Sequence, residues 1–396
     1  MSTRSIFHAD HADHADHADH ADHADHADIV RVSRSARMIE QIRGDLAGDW
    51  TKTKEMPQLP FSDKENLDRW NPVVRAEVLA NRLNKDLKFS SEGQRFRIFT
   101  SHRYEIPKLD DVLALVQRFG GAEPNTEDAE LKTSNFGFCL DVSVFEASRP
   151  DDAKFHAQIE EVNNALNARN DRAPEILRQR HDILSFFAAI FGLHPKRHAY
   201  TIELLGTCLR ALAPIEMEAK HRMASRRPVE LSAQIHPIIQ TPGHSSYPSG
   251  HATQAYLLAN VLTKLTEDYE DRLYDTIRPL RRQSFGLAAR IAYNRVVAGV
   301  HFPIDSGCGA LLGSVIGQHF IADFKGDDFD RAHQFMPDGF DGRFDSAGFK
   351  VGWTDPSKPL PPFAAPLDPP VLPVPARQRD DELKWLWNKA TAEWEL

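Results

Sequence analysis

Segment after segment of this chain places apolar residues three and four apart, a spacing that lines them up on one face of a helix and leaves few stretches that alternate like a strand. The pattern runs through 30–46, 73–87, 109–119, 152–168, 174–191 and 200–223, then through 251–265, 273–298 and 306–324. It predicts an all-α chain built from helix bundles. The last of these segments carries Gly309, Gly313 and Gly317 on one stripe, and glycines four apart let a second backbone approach closely. It also holds an uncharged run, 306–322, which includes Gln318 and His319. That run is shorter than the ~20 apolar residues a bilayer span requires. A tightly packed central helix is the reading, and no membrane segment is expected.

The two ends differ from this body. Residues 8–28 are seven His-Ala-Asp triplets, too polar to build a core and expected to be disordered or a frayed helix. Such a repeat collects divalent metal only loosely, because a defined metal site needs a geometry that a perfect repeat does not single out. Residues 29–345 are then expected to form the helical body, and 346–396 a Pro-rich wrap with a terminal helix. Nine of the 25 prolines fall within 356–375, which excludes helix there and predicts an extended path over the surface. The final segment, 381–396, brings Trp385, Leu386, Trp387 and Trp394, aromatics suited to docking on the body or on a partner chain.

Charge and cysteine content exclude several function classes. Of the net charge of -9, residues 1–28 supply seven Asp against one Arg, leaving 47 basic and 50 acidic residues elsewhere. A body so close to neutral offers no electrostatic case for nucleic acid. Cys139, Cys208 and Cys308 are odd in number and widely spaced, which indicates neither a disulfide framework nor a zinc site but small buried residues. The N-terminus passes from Arg4 into the charged repeat without the apolar stretch of a secretory leader, so a cytoplasmic location is expected.

Three segments combine cations or histidine with residues that shape the backbone. In Lys220-His-Arg-Met-Ala-Ser-Arg-Arg227-Pro228 the two cations are seven apart. That is two turns on one helix face, with Pro228 stopping the helix, so both can converge on one anion. Alone, the segment is better read as a solvated basic helix end. In Tyr247-Pro248-Ser249-Gly250-His251, Ser249 stands near the N-cap of an amphipathic helix and Gly250 permits close backbone approach. The free N–H groups and positive dipole end there bind anions, with His251 in the first turn; an ordinary capped helix remains the alternative. In Arg295-Val-Val-Ala-Gly-Val-His301-Phe-Pro-Ile-Asp305, Arg295 shares a small apolar face with Ala288, Ile291 and Ala292. It should point inward, where it needs an anionic partner. Asp305 can orient the His301 imidazole; a structural Arg with a satisfied core His is the alternative.

Together these segments read Lys-x6-Arg-Pro, Pro-Ser-Gly-His and Arg-x5-His-x3-Asp in that order, and so resemble the signature of the type 2 phosphatidic acid phosphatase and vanadium haloperoxidase superfamily. The motifs span 220–305, about a fifth of the chain. The helical stretch before them is similar to that of the soluble haloperoxidases, whose fold is a pair of helix bundles. The resemblance implies that Lys220, Arg227 and Arg295 hold the equatorial oxygens of an oxyanion, joined by the Ser249 hydroxyl and the Gly250 N–H. It further implies that His301 bonds the central atom, as the single protein ligand of vanadate or as the nucleophile towards phosphate, oriented by Asp305, and that His251 is the general acid and base.

Two readings follow from that resemblance. In the peroxidase reading vanadate is the cofactor, hydrogen peroxide and halide are the substrates, and Lys220 polarises bound peroxide. His244 lies five residues before Ser249, where bromoperoxidases of the superfamily carry a second catalytic-site His, so bromide or iodide is expected ahead of chloride. Asn294, where phosphatases usually have Ser, points the same way. In the phosphatase reading a small phosphate ester is cleaved through a phosphohistidine, with no cofactor. A non-catalytic oxyanion-binding or scaffold protein is the third alternative, and a homo-oligomer is compatible with all of them.

Overall fold

The computed structural model of the chain describes residues 67, 70–104, 138–273, 279–327, 329, 333–340, 364–366 and 380–395. The His-Ala-Asp repeat, the helices expected over 30–46 and 109–119, and most of the Pro-rich segment lie outside the described residues.

The first described helix, α1 (Pro72–Asn84), starts where Asn71 Oδ1 accepts from the Val73 N–H at 3.0 Å, with Pro at the first helical position. Both features are strong local start signals. Its buried Val73, Ala76, Leu79, Ala80 and Leu83 hold the three-and-four spacing read from the sequence. The helix ends at Asn84, however, because Leu87 already belongs to a strand.

That strand corrects the all-α expectation: the protein is mostly helical but also carries a five-stranded sheet, in the order β1-β2-β3-β4-β5. β1 (Leu87–Glu92) and β2 (Arg95–Tyr104) form a hairpin closed through Gly93, whose φ is +58°. β2 alternates as a half-buried strand should, with Phe96, Ile98 and Thr100 inward. β3 (Phe138–Ser148) runs antiparallel to it, with Ile98 opposite Phe145 but Phe99 opposite Ser143. The extra residue is Val144, and the bulge explains why Val144 and Phe145 are both buried although adjacent. β4 (His333–Phe335) adds parallel to β3, and β5 (Ala364–Pro366) closes the edge antiparallel to β4. A proline is tolerated in β5 because an edge strand leaves one row of N–H groups unused.

The single helices expected over 152–168 and 174–191 are each divided, into α2 (Asp152–Ala157) and α3 (Ile159–Ala165), and into α4 (Arg169–Gln179) and α5 (Leu184–Phe191). The long α6 (Ala199–Met223) follows, then the one-turn α7 (Pro228–Leu231). The remaining helices are α8 (Gly250–Leu265), α9 (Glu267–Leu273), α10 (Pro279–Val297), α11 (Pro303–Lys325) and α12 (Asp381–Ala392). Among the described residues no helix is long and apolar enough to cross a membrane.

The glycine stripe decides the centre of the bundle. A methyl group on Gly309 would stand 2.5 Å from the Ser249 carbonyl oxygen, and one on Gly313 2.1 Å from that of Thr253. Two backbones therefore touch where α11 crosses the first turns of α8, and this contact fixes the N-terminus of α8 against α11. The terminal helix docks on the body of the chain. Glu393 accepts from Tyr200 N, Thr201 N and Thr201 Oγ1, each at 2.8 Å, and so satisfies the first N–H groups of α6. Trp394 Nε1 donates to Thr201 Oγ1 at 3.1 Å, and Arg75, paired with buried Glu203, lies 4.8 Å from the Trp385 ring centroid.

Candidate active site

The three sequence motifs converge on one buried region, and Lys220, Arg227, Ser249, His251, Arg295, His301 and Asp305 are each at most 3 % exposed. Lys220 comes from the last turn of α6, and its Nζ donates to the Pro248 carbonyl at 2.7 Å and the Ser245 carbonyl at 3.3 Å. Arg227 does not follow on the same helix face, as its spacing suggested. α6 stops at Met223, and Ala224 turns the chain with a positive φ of 44° while its N–H reaches back to the Lys220 carbonyl. Arg227 then lies in extended backbone before α7. The two cations meet through this turn, which is secured where Ser225 N donates to Ser245 Oγ at 2.8 Å.

Arg227 joins the motifs. Its Nη1 donates to the Val300 carbonyl at 2.9 Å and contacts His301 Nε2 at 3.1 Å; its Nη2 contacts His244 Nδ1 at 3.1 Å, and its Nε reaches the His244 carbonyl at 3.2 Å. A guanidinium has only donors, so His301 Nε2 must offer its lone pair. The proton of the neutral ring then sits on Nδ1, 3.0 Å from Asp305 Oδ2. That oxygen also accepts from Phe302 N at 2.9 Å and from Ser246 Oγ. Burial pushes the Asp305 carboxyl up from 3.8 to about 6, against the opposing pull of Ser246, the Phe302 N–H, and the charges of Arg227 and Lys220.

Ser249 occupies the N-cap of α8 without capping it: its hydroxyl makes no bond to the helix, and Ser249 Oγ is buried with no hydrogen-bond partner. Buried hydroxyls are almost always satisfied. An orphaned one beside the open N–H groups of Gly250 and the first turn marks a place for an acceptor. Charge points the same way. Lys220, Arg227 and Arg295 bring three cations, whereas the buried carboxylates nearby are Asp305 and Glu216, the latter one turn before Lys220 and bonded to Gln254 Nε2 at 3.3 Å.

Arg295 extends from the last turn of α10, with Nη2 at 3.3 Å from both the Ile176 carbonyl and Gln179 Oε1. His251, in the first turn of α8, has Nε2 at 3.0 Å from the Gln179 carbonyl. A carbonyl only accepts, so Nε2 carries a proton and Nδ1 is the position that gains or loses one. The helix ahead of His301, α10, ends at Val297, and Gly299 in the turn after it has a φ of +80° that suits glycine; Arg169 caps the helix by donating to the carbonyls of Val297 (3.1 Å) and Ala298 (3.3 Å). Two residues here escape sequence reasoning. Ser246 has adjacency to a motif as its only signal, and Gln179, a lone glutamine on an amphipathic helix, has none.

Helices therefore meet at a buried, cation-rich region that holds a His–Asp pair. Residues 199–326, about a third of the chain, match the family model of the PAP2 superfamily. The match takes in α6, α8, α10 and α11 and all three motifs. This superfamily covers both phosphatases and haloperoxidases. No curated protein is detectably similar to the chain.

Proposed function

We propose that this chain is a vanadium-dependent, haloperoxidase-like enzyme that oxidises bromide or iodide with hydrogen peroxide. The orphaned Ser249 hydroxyl carries the reading, because it supplies an unmet donor at a helix N-terminus in the same buried region as the cations and His301. Ser249 Oγ, the Gly250 N–H, Lys220, Arg227 and Arg295 would hold the oxygens of vanadate, and His301 Nε2 would be its protein ligand. Bound there, vanadate would supply the Lewis-acid centre at which peroxide becomes open to halide attack.

The residues themselves do the rest. Asp305 keeps the His301 proton on Nδ1 and so keeps Nε2 a lone-pair donor. The three cations offset the charge of a multiply ionised oxyanion in a region closed to bulk water. His251 takes up or releases a proton at Nδ1, since Nε2 is held by the Gln179 carbonyl. His244 is half-buried and its Nδ1 contacts Arg227 Nη2 at 3.1 Å, which supports a role for it beside Arg227 in this reading.

The same lone pair supports a second reading, a phosphatase. His301 Nε2 would attack the phosphorus of a small phosphate ester, His251 would protonate the departing alkoxide, and water would hydrolyse the phosphohistidine to free phosphate. A paired assay separates the two. Purified apo-protein is given vanadate, hydrogen peroxide and bromide or iodide in one set and an aryl phosphate in the other, beside His301→Ala. Vanadate-dependent halogenation lost in the variant supports the peroxidase; hydrolysis inhibited by vanadate and lost in the variant supports the phosphatase. Silence in both sets, with vanadate or phosphate still raising the melting temperature, would leave an oxyanion-binding protein without turnover.

A further inference from the structure

Gln179, the last residue of α4, is fully buried and reaches two groups of the site at once. Its side-chain Oε1 accepts from Asn294 Nδ2 at 2.9 Å and from Arg295 Nη2 at 3.3 Å, while its Nε2 donates to Glu175 Oε1 at 2.7 Å. Its main-chain carbonyl meets His251 Nε2 at 3.0 Å. The amide has one permitted orientation, because a flip would turn its NH2 towards two donors and its oxygen towards a carboxylate. Both neighbours are fixed in turn: Asn294 Oδ1 accepts from Arg172 Nη1 at 3.1 Å, and Glu175 is paired with Arg290 at 2.5 Å.

We propose that Gln179 is a positioning residue of the oxyanion site, which seats Arg295 through a neutral side-chain acceptor and fixes the proton-bearing nitrogen of His251 through its backbone. The neutral amide gives the Arg295 guanidinium an aim without itself offsetting its charge. A carboxylate in the same place would compete with an anion. Asn294, immediately before Arg295, then serves to hold the amide and does not itself face the ligand. The inference rests on the oxyanion-site reading above.

The split between side chain and backbone makes the proposal testable. Every Gln179 variant keeps the carbonyl and therefore the His251 contact. Orthovanadate affinity and the melting temperature of the apo-protein are measured for wild type, Gln179→Leu and the isosteric Gln179→Glu. Gln179→Leu should weaken orthovanadate about three- to tenfold, the loss of one buried acceptor. Gln179→Glu should weaken it by more than about tenfold at about pH 8. That second deficit, taken relative to wild type at each pH, should shrink as pH falls and the new carboxyl protonates. The groups facing it are Arg295 and Asn294 on one side and Glu175, backed by Arg290, on the other. A purely structural role would lower the melting temperature and leave affinity unchanged in the folded protein. Affinities within about twofold of wild type for the Glu variant at every pH overturn the inference, and that variant decides if the Leu variant fails to fold. Failure of the wild-type protein to bind orthovanadate or phosphate would instead remove the oxyanion-site reading, and this inference with it.

Discussion

Replacing Asp305 by Asn removes a charge that the folded chain holds at a cost. The carboxyl is wholly buried, and desolvation lifts it from 3.8 to about 6. Since the folded value lies above the unfolded one, the folded chain binds this proton more tightly. The stability it contributes is therefore full at low pH and is lost as pH rises from about 4 to about 6. At about 1.4 kcal/mol per pH unit the loss is about 3 kcal/mol, of which about 2 kcal/mol falls between about pH 4.5 and about pH 8. The His301 Nδ1–H donates to the same carboxylate, so the proton belongs to the pair and the transition is that of the pair. The substituted amide can keep its oxygen on His301, Phe302 and Ser246, but its NH2 would stand where Asp305 Oδ1 is buried with no hydrogen-bond partner. That orphaned donor costs about 1–3 kcal/mol at every pH, so comparing the variant with wild type at the two pH values cancels it. Urea unfolding followed by tryptophan fluorescence gives the comparison: relative to wild type, Asp305→Asn should gain about 2 kcal/mol on going from the lower to the higher pH. A difference of zero, or one of opposite sign, would refute the claim that an ionised carboxylate is held there against desolvation. Turnover should fall in the same variant, because the charge that orients His301 is gone.

His301→Ala should abolish whichever of halogenation and phosphate-ester hydrolysis the wild-type protein shows while leaving the fold intact by circular dichroism, since a lost lone pair cannot be replaced by its neighbours. Gly313→Ala should destabilise by about 3 kcal/mol or more in thermal unfolding, as its methyl would lie 2.1 Å from the Thr253 carbonyl; Gly317→Ala, with its nearest atom at 3.2 Å, should cost far less. Equal effects at the two positions would contradict the close helix crossing. Glu393→Ala should cost about 1–3 kcal/mol by the same measurement, because three donors at the start of α6 lose their acceptor. Orthovanadate affinity in Gln179→Leu and Gln179→Glu, as set out above, tests the seat of Arg295.

The match between motif and geometry is closest where the chain acts locally. The N-cap at Ser249 and the His301–Asp305 pair four residues apart both depend on neighbours in sequence, and each stands as the spacing predicted. The glycine stripe was legible for the same reason, since i, i+4, i+8 positions share a helix face whatever lies opposite. Where the expectation failed, a distant segment had decided. The periodicity over 73–87 continued past Asn84, but Leu87 pairs with Thr100 in a strand. The spacing from Lys220 to Arg227 fitted one helix, but Ser245 and Ser246, from another segment, hold the turn that ends it.

The sequence by itself determined the candidate site residues and much of their immediate backbone, because helix starts and face periodicity are properties of a few adjacent side chains. Only the tertiary structure decided the five-stranded sheet, the docking of Glu393 onto α6, and the joint grip of Gln179 on Arg295 and His251. Apart from the β1–β2 hairpin, each of these pairs groups separated by tens to hundreds of residues, for which no local pattern exists. A buried polar group finds its partner wherever packing brings one, and only the packed chain shows which partner that is.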